Sequence, residues 1–549
     1  MAVIRTLCGQ CGMGCGVRAR TGEGRDVMIE GDRMHPANGG RLCDRAGHFA
    51  TSAVLDGRLL HPLIDGRPAS WDRAVAQVAR RLSVIIDRHG PGSIALHMDG
   101  GLLTEDYYVA NKLMKGFLGS AHIHAPWSAA GGVAAAQRAA FGEDVMPAAY
   151  EDIDRADLIL LVGADAALAH PVLLDRIQAA RQVRGTHLMV LEVHDAAADA
   201  DSRLAIPAGC ESLFFNGLLL HCHDAGLIDT AFLDRHVTVP SGFWRDLRPG
   251  HDLWSVARAC DLAPAAIRAV YDRIAATRHA VTLFSPADDG RDGQVMATAI
   301  LNFHLATGRI GRPGATPFAI TCAPNGMGGR DVGCMASALA AHRDFTPDAI
   351  EWTARFWGGP SIAMAPGLSG DALLQAIGDG HIQALWSIGG SPSTSPWLGE
   401  AFRTAPHTIL STDRLDPDAG AASIVLPSAA WVEKDGTVTG TDRLISRQRR
   451  LFPLPGQARP DWWIVTRVAQ AMGWHAAFHY ERPADIYREH ARLTAYRNGG
   501  ARLLDLRRHA PISNPAYDEL TPWRWGEVPF DEGRFPTPDS RARLMRSWD

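Results

Sequence analysis

The chain of 549 residues contains 46% hydrophobic and 21% charged residues and carries a formal net charge of −5 at pH 7. This size and composition are typical of a soluble globular protein with several domains and a sizeable core. No lysine- or arginine-rich block indicates a nucleic-acid partner. No run approaches the roughly 20 consecutive apolar residues of a membrane span, so neither nucleic acid nor a membrane is an expected partner.

Four cysteines near the N-terminus have the spacing of ligands for an iron–sulfur cluster. Cys8, Cys11 and Cys15 lie in the glycine-rich run Cys8-Gly-Gln-Cys-Gly-Met-Gly-Cys15, and Cys43 follows. Glycines let the backbone fold around a cluster with its amides pointing at the sulfurs. Structural zinc normally uses two separated pairs of cysteines, so the crowded third cysteine favours a 4Fe-4S cluster. Zinc and unrelated free thiols remain alternatives.

The other cysteines show no ligand spacing, and we interpret them as small buried hydrophobic residues. They are Cys210, Cys222, Cys260, Cys322 and Cys334. The short segment before Cys8 leaves no room for a cleaved leader, and no extracellular-type disulfide framework is present. The sequence therefore predicts a cytoplasmic protein.

Apolar runs and helical periodicities alternate along the chain, which predicts an α/β fold. Predicted helices cover residues 71–89, about 171–181 and 462–472. Predicted strands cover 93–98, 157–163, 187–192, 280–284, 384–389, 408–411 and 422–427. Such alternation predicts parallel sheets whose ligands bind beyond the carboxyl ends of the strands, and its repetition indicates two α/β lobes facing one cleft.

Three glycine-bearing segments are candidate ligand contacts. The turns Val162-Gly-Ala-Asp165 and Ile388-Gly-Gly-Ser-Pro392 follow predicted strands. The loop Pro324-Asn-Gly-Met-Gly-Gly-Arg-Asp-Val-Gly333, which contains Gly328, could admit an anionic ligand against its amides, with Arg330 as a phosphate partner. A tight turn between lobes is the alternative interpretation of this loop.

These residues together resemble the molybdopterin (molybdenum bis-guanine-dinucleotide) oxidoreductases, and most closely the catalytic subunit of bacterial assimilatory nitrate reductases. The resemblance covers essentially the whole chain. Its most specific stretches are the cysteine quartet, residues 103–120, Tyr150-Glu-Asp-Ile-Asp, residues 302–311, Met327-Gly-Gly-Arg-Asp-Val-Gly and Glu433-Lys-Asp-Gly-Thr-Val-Thr. It implies an N-terminal 4Fe-4S domain and two Rossmann-like parallel-sheet lobes of the DMSO reductase/formate dehydrogenase type.

The resemblance also implies a working scheme. The cluster would pass electrons to a molybdenum held by two molybdopterin guanine dinucleotides, for nitrate reduction. Arg45 matches a basic side chain that bridges cluster and pterin, although a solvated or cluster-shielding arginine is the alternative. A ferredoxin, flavodoxin or flavoprotein subunit would suit as the redox partner.

The family's nucleotide-binding positions are retained in outline and altered in detail. Gly163 matches the glycine of a Gly-Ser-Asn turn, of which Asp165 replaces the last residue, and His170 is retained. Glu192 stands where an aspartate opens an Asp-Pro-Arg run, and Glu211 where an aspartate contacts guanine. Ser391 stands for an asparagine, and an alanine replaces a glutamine at position 323.

Two departures bear on activity. No cysteine occurs between Ile123 and Phe141, where relatives place the metal-ligating cysteine, and Ala129 occupies its position on the simplest alignment. Ser128 beside it is a candidate alkoxide ligand. The chain also ends at Asp549, where relatives enter a fourth domain that closes over the cofactors, so a separate chain is expected to supply that domain, or else the cofactor is held incompletely or is not bound.

We expect a cluster domain at residues 1–56, a discontinuous first α/β lobe at 57–120 and 320–460, a second lobe at 121–319, and a tail of helices and loops at 461–549. The main functional hypothesis is a nitrate-reductase-like molybdenum enzyme. The alternative is a non-catalytic homologue that keeps the cluster as an electron-transfer or docking subunit. A third hypothesis is an anion-binding sensor that uses the cleft.

Overall fold

A computed structural model describes residues 3–163, 169–192, 199–285, 291–415 and 422–548. The strands of these residues, in chain order, are β1 Val3–Leu7, β2 Gly16–Thr21, β3 Val27–Gly31, β4 Leu63–Ile64, β5 Arg67–Pro68, β6 Ile94–Met98, β7 Ile123–His124, β8 Leu158–Val162, β9 His187–Glu192, β10 Ser202–Ala205, β11 Val237–Thr238, β12 Ala280–Phe284, β13 Pro317–Ala319, β14 Ala384–Ile388, β15 His407–Thr412, β16 Ile424–Pro427, β17 Gly436–Thr439, β18 Leu444–Gln448, β19 Trp523–Arg524 and β20 Ala542–Arg543.

The α-helices are His48–Thr51, Trp71–His89, Thr104–Asn111, Ala130–Phe141, Tyr150–Arg155, Pro171–Arg184, Glu211–Asp224, Thr230–His236, Phe243–Leu247, Leu253–Ala259, Pro264–Ala276, Arg291–Ala306, Gly326–Val332, Pro347–Trp357, Gly370–Gly378, Pro396–Thr404, Asp461–Ala471, Pro483–Ala495 and Asn514–Asp518. A π-helix spans Lys112–Leu118, and short 3-10 helices include Asp44–Gly47, Pro126–Ala129 and Trp431–Glu433.

Two sheets form the two lobes. The larger has seven strands in the order β5-β4-β16-β15-β14-β6-β7, and its pairs from β16 to β7 are parallel. The second has five parallel strands in the order β10-β9-β8-β12-β13. The predicted architecture, an N-terminal domain and two lobes built on parallel sheets, is therefore confirmed.

The central parallel strands are covered on both faces, because the helices that connect parallel strands pack on the two sides of the sheet. Every residue of β6, β8, β12 and β14 is buried, which is the continuous apolar pattern of strands between helical layers. The helix Trp71–His89 shows how a covering helix forms. The Ser70 hydroxyl caps it by accepting from the Arg73 amide at 3.3 Å, an apolar stripe that includes Val78 and Leu82 packs inward, and Gly90 ends it at a φ of 81°.

The domain limits stay a prediction, and the strands differ from them in two places. Strand β7 pairs with β6 in the seven-stranded sheet, although residue 121 was expected to open the second lobe. The tail after residue 461, expected to be helices and loops, also contributes β19 to a sheet with β17 and β18, and β20 to a pair with β11. Edge pairings of two residues carry too little periodicity to be seen in the sequence.

A buried ion cluster joins the two lobes. Arg330 donates from Nε to Asp144 at 2.9 Å, and His342 Nδ1 lies 2.8 Å from Glu143 Oε1, with its Nε2 3.4 Å from Asp331 Oδ1. Burial alone would lower the pKa of His342, but the neighbouring carboxylates of Asp331 and Glu143 outweigh it and raise the pKa to about 9. The imidazolium is therefore the stable form at neutral pH.

No helix in the part of the chain that the structure describes has the length and apolarity needed to span a bilayer.

Candidate cluster site and cofactor cleft

The loop between β1 and β2 carries the first three candidate ligands. The two strands are antiparallel, with Leu7 opposite Gly16, and the Cys8 amide donates to the Cys15 carbonyl at 2.9 Å. A Cβ at Gly16 would lie 2.4 Å from the His35 ring, so only glycine fits there. The strand register and the hydrogen bond place Cys8 beside Cys15 where the two strands end.

Asn38 joins the segment of Cys43 to this loop. Its Oδ1 accepts from the Gly16 amide and its Nδ2 donates to the Gly16 carbonyl, both at 3.0 Å, while Nδ2 also donates to the Arg41 carbonyl at 2.7 Å. A Cβ at Gly31 would lie 2.0 Å from the Gly40 carbonyl oxygen, so strand β3 and the Cys43 segment touch through their backbones. The fourth cysteine is thereby brought to the other three.

The four cysteines line one small cavity. The rest of its wall consists of Gln10, Met13, Leu42, Ala46, His170, Pro171 and Val172. Burial raises the pKa of the Cys8 thiol to about 12 and that of Cys11 to about 11. Thiolates in such a pocket require cations beside them, and iron supplies those charges.

The geometry fits a polynuclear cluster, since four thiols surround a shared space. Within the described residues, no group of three or more histidine, cysteine or acidic side chains is arranged to hold one metal ion. A cube of iron and sulfide takes one thiolate at each of its four irons, and four cysteines line this cavity.

Trp431 lies between the cluster loop and a larger cleft. Its indole N–H donates to the Leu7 carbonyl at 2.9 Å, and a Cβ at Gly9 would lie 2.6 Å from its ring. The indole therefore packs directly on the backbone beside Cys8. Trp431 also lines the cleft, so one side chain contacts both places.

The cleft has a volume of about 530 Å³ and opens at the carboxyl ends of strands β6, β14, β15 and β16. Its wall includes residues that directly follow those strands, namely Asp99, Gly101, Leu102, Gly389, Gly390, Ser391, Asp413, Arg414, Ser428, Ala429 and Trp431. This edge is where open parallel sheets bind ligands, and the volume of the cleft lies within the range of ligand-binding pockets.

Two cations in the cleft wall are held by the protein. Lys434 Nζ lies 2.9 Å from Asp461 and 3.8 Å from Asp106. Burial would lower the pKa of Lys434, but these carboxylates raise it, so the ammonium is retained. Arg414 donates to the carbonyls of Asp56, Thr51 and Val54, which ties the cleft to the segment that follows the cluster domain.

Comparison with known proteins agrees with this geometry. The profile of the molybdopterin oxidoreductase family matches residues 58–471, and that of the molybdopterin oxidoreductase Fe4S4 domain matches residues 1–53. The chain belongs to the molybdopterin oxidoreductase family. The predicted family is therefore confirmed. The 4Fe-4S cluster and the molybdenum-pterin cofactor are confirmed as the cofactors of this family.

The relatives include nitrate reductases. The chain is 42% identical over 538 residues to a nitrate reductase of Klebsiella oxytoca, covering 96% of this chain and 61% of that protein. It is 36% identical to a nitrate reductase of Shewanella frigidimarina, covering 96% and 58%. The chain thus spans about three fifths of the length of these relatives.

The fold also has a solved counterpart. An acetylene hydratase from Pelobacter acetylenicus superposes with a TM-score of 0.77 at 17% identity, covering 98% of this chain and 77% of that one. At that identity the likeness concerns the fold alone.

Two predicted residues lie beside the cluster cavity. His170 lines it and donates from Nε2 to the Thr321 carbonyl at 2.8 Å, which connects the two lobes. Arg45, in the turn after Cys43, donates to the Ala169 carbonyl at 2.9 Å. Arg45 therefore points from the cluster segment toward the five-stranded lobe, and its role in electron transfer stays a prediction.

The remaining positions predicted in the five-stranded lobe lie at the carboxyl edge of its sheet. Gly163 follows β8 at a φ of 78°, Glu192 is the last residue of β9, and Glu211 begins the helix Glu211–Asp224. Asp165 lies outside the described residues. The edge is the expected one, and the contacts of these residues stay a prediction.

The prediction that the segment 324–333 is a loop is wrong, because Gly326–Val332 is a helix. A Cβ at Gly328 would lie 2.2 Å from Asn325 Oδ1, and one at Gly329 would lie 2.0 Å from the Trp127 ring. The glycines therefore allow close packing of this helix. The guanidinium of Arg330 is 3% exposed and engaged by Asp144 and Gln137, and the cofactor roles of Gly328 and Arg330 stay predictions.

Ser391 lines the cleft, with its hydroxyl 2.9 Å from that of Ser393. Ser128 and Ala129 lie in the 3-10 helix Pro126–Ala129, next to Trp127. The side chains of residues 128–131 are outside the description, so the predicted metal-ligand position is located only by its backbone.

The interpretation of the other cysteines as buried is wrong for Cys322, which is exposed. Sequence reasoning also missed Trp431 and Asn38. Neither belongs to a spaced ligand set, because both act through backbone contacts between segments far apart in the chain. The only sequence signal for Trp431 was its place two residues before the Glu433-Lys-Asp-Gly-Thr motif.

Proposed function

We propose that this chain is the cluster- and pterin-binding part of a molybdenum-dependent nitrate reductase. The observation that carries the proposal is the cavity lined by four thiols, with Trp431 between it and a ligand-sized cleft at the strand ends. The similarity to the nitrate reductase of Klebsiella oxytoca supports nitrate as the substrate.

The chain's own residues have distinct parts in this proposal. Cys8, Cys11, Cys15 and Cys43 hold the 4Fe-4S cluster, and the apolar wall around them excludes water. Arg45 faces the five-stranded lobe, and Trp431 faces the cleft of the seven-stranded lobe. When bound, the molybdenum centre supplies two-electron chemistry at an oxygen atom of nitrate, while the cluster supplies one-electron transfer.

The two lobes would each hold one pterin dinucleotide. In the seven-stranded lobe, Ser391 and the backbone after β14 and β15 line the cleft, with Arg414 and Lys434 as cations beside the phosphates. In the five-stranded lobe, the corresponding edge carries Gly163, Asp165, Glu192 and Glu211. A ferredoxin, flavodoxin or flavoprotein subunit in the cytoplasm completes the proposed system as electron donor.

A second candidate is a homologue without catalysis that keeps the cluster for electron transfer or docking. The observation favouring it is the absence of a cysteine between residues 123 and 141, with Ala129 at the position of the family's metal ligand. It predicts iron and sulfide without molybdenum.

Metal and pterin analysis of anaerobically purified protein separates the two candidates. We expect about four irons and four sulfides per chain, with stoichiometric molybdenum and guanine nucleotide, and nitrate reduction by reduced viologen. Four irons with neither molybdenum nor nucleotide would overturn the nitrate reductase proposal in favour of the second candidate.

The ligand assignment has its own test. Cys8→Ser should lose the iron and the visible absorption of the cluster, whereas Cys222→Ser, a change at a buried cysteine of the five-stranded lobe, should keep both. Full iron content in the Cys8→Ser protein would contradict the assignment.

A further inference from the structure

Two cysteines that are 50 residues apart meet at the ends of two helices in the five-stranded lobe. Cys210 directly precedes the helix Glu211–Asp224, and Cys260 directly follows the helix Leu253–Ala259. The Cys210 thiol donates to the Ala259 carbonyl at 3.7 Å. Cys260 is the next residue after Ala259, so the Cys210 thiol lies against the segment that carries Cys260, and both cysteines are free thiols.

The two thiols differ in access. Cys260 is 2% exposed, whereas Cys210 is half-buried. Burial, followed by the neighbouring Cys210, raises the pKa of Cys260 to about 12. A reagent in solution therefore reaches Cys210 first, and Cys260 lies beside it in the protein interior.

This arrangement matches the requirements of a dithiol that closes in two steps. One thiol must be reachable by an oxidant, and the second must be close enough to attack the sulfur of the first. The cluster cysteines are in a different part of the molecule, around the cavity between β1, β2 and the helix Pro171–Arg184. The pair is thus independent of the proposed cluster.

We propose that Cys210 and Cys260 form a reversible disulfide, with a low-molecular-weight disulfide as the oxidant. The Cys210 sulfur attacks one sulfur of the oxidant, the oxidant's S–S bond breaks, and one small thiol leaves with the proton of Cys210. The Cys260 sulfur then attacks Cys210 in the mixed disulfide, and the second small thiol leaves with the proton of Cys260. The protein loses two hydrogen atoms, and the oxidant is reduced to two thiols.

The cross-link would fix the start of the helix Glu211–Asp224 to the end of the helix Leu253–Ala259. Glu211 is the residue next to Cys210 and stands at the predicted guanine contact. Closing the disulfide therefore acts at the nucleotide edge of the five-stranded lobe. This second step rests on the proposed function, whereas formation of the disulfide does not.

The test uses the full chain, purified anaerobically and then exposed to oxidised glutathione, with peptide mass spectrometry under non-reducing conditions. The wild type should give a cross-linked peptide pair containing Cys210 and Cys260, and dithiothreitol should abolish it. Cys210→Ser should give no modification at Cys260. Cys260→Ser should stop at a glutathione adduct on Cys210.

Cys322→Ser is the matched control, because it removes an exposed cysteine outside the pair and should leave the cross-link unchanged. A persistent glutathione adduct on Cys210 in the wild type, or modification of Cys322 with none at Cys210, would overturn the proposal. Guanine nucleotide released from the oxidised and reduced forms then tests the second step. Equal nucleotide content with a formed disulfide would refute the link to Glu211 alone.

Discussion

The buried ion pair of Arg58 and Glu433 gives the sharpest stability prediction. Arg58 donates from Nη1 at 3.0 Å and from Nη2 at 2.7 Å to the two carboxylate oxygens of Glu433, and both side chains are fully buried. The Glu433 carboxylate also accepts from Arg25 and from the Ala430 amide. The pair therefore fixes the turn that carries Trp431 to the segment that leaves the cluster domain.

Arg58→Met removes the bidentate partner and leaves a buried carboxylate. Breaking a buried pair in this way costs roughly 3–5 kcal/mol, and because Arg25 remains, we expect about 3 kcal/mol. With a urea m-value of about 3 kcal/mol/M, the unfolding midpoint should fall by about 1 M. Tryptophan fluorescence in a urea titration measures that shift, and iron content measured in parallel reports whether the cluster segment is still held.

The matched control is Arg403→Met. Arg403 pairs with Glu400 on the helix Pro396–Thr404, and both side chains are more than half exposed, so its loss should cost less than about 1 kcal/mol. If the Arg58→Met and Arg403→Met proteins unfold at the same urea concentration, the buried pair adds nothing and the reasoning fails.

Three further changes test the site and the ion cluster. Gly9→Ala places a Cβ 2.6 Å from the Trp431 ring, so it should lower the free energy of unfolding by about 1–3 kcal/mol and cause loss of iron. Its control is Gly47→Ala, where nothing lies within 4 Å of the added Cβ. That variant should match the wild type in thermal unfolding and iron content. Trp431→Leu should shift the midpoint potential of the cluster in a redox titration followed by electron paramagnetic resonance, while Trp431→Phe should shift it less. Equal potentials in the two variants and the wild type would contradict the packing of Trp431 on the cluster loop. The pKa of His342 is raised to about 9, so the stability that the imidazolium contributes to the fold is complete below pH 6.5 and is lost as pH rises through 9. His342→Gln should remove this decline in stability, measured as the urea midpoint between pH 6 and 10. Midpoints that fall equally in the variant and the wild type would refute the prediction.

Sequence patterns were sufficient to predict a helix or strand where residues nearby in the sequence decide its structure. The helix Trp71–His89 was predicted with its observed limits because capping by Ser70 and the apolar stripe are both encoded within the helix. The strands β6, β8, β9, β12, β14, β15 and β16 were predicted because burial leaves an apolar run in the sequence, whereas the shorter strands of the two sheets, β4, β5, β7, β10 and β13, were not. The cysteine spacing likewise indicated a loop around a cluster, since three of the candidate ligands lie close together in the sequence, between Cys8 and Cys15.

Contacts between distant segments could not be predicted. Gly328 and Gly329 suggested a loop for an anion, but what they accommodate is Asn325 and Trp127, and nothing local distinguishes the two uses of glycine. The pairing of Arg330 with Asp144 spans 186 residues, and the meeting of Cys210 with Cys260 depends on how two helices end beside each other. Each requires the tertiary fold before it has a partner.

The seven-stranded sheet has a consequence for synthesis of the chain. Strand β6 is complete at Met98, but its neighbour β14 begins only at Ala384. The ribosome adds roughly 5–20 residues per second, so the open edge of β6 waits on the order of 15–60 s for its partner. The five-stranded sheet is drawn from one continuous segment between β8 and β13 and can form during that interval. The N-terminal half of the first lobe is therefore the part of the nascent chain most in need of a chaperone, and fragments that end before Ala384 should aggregate through β6.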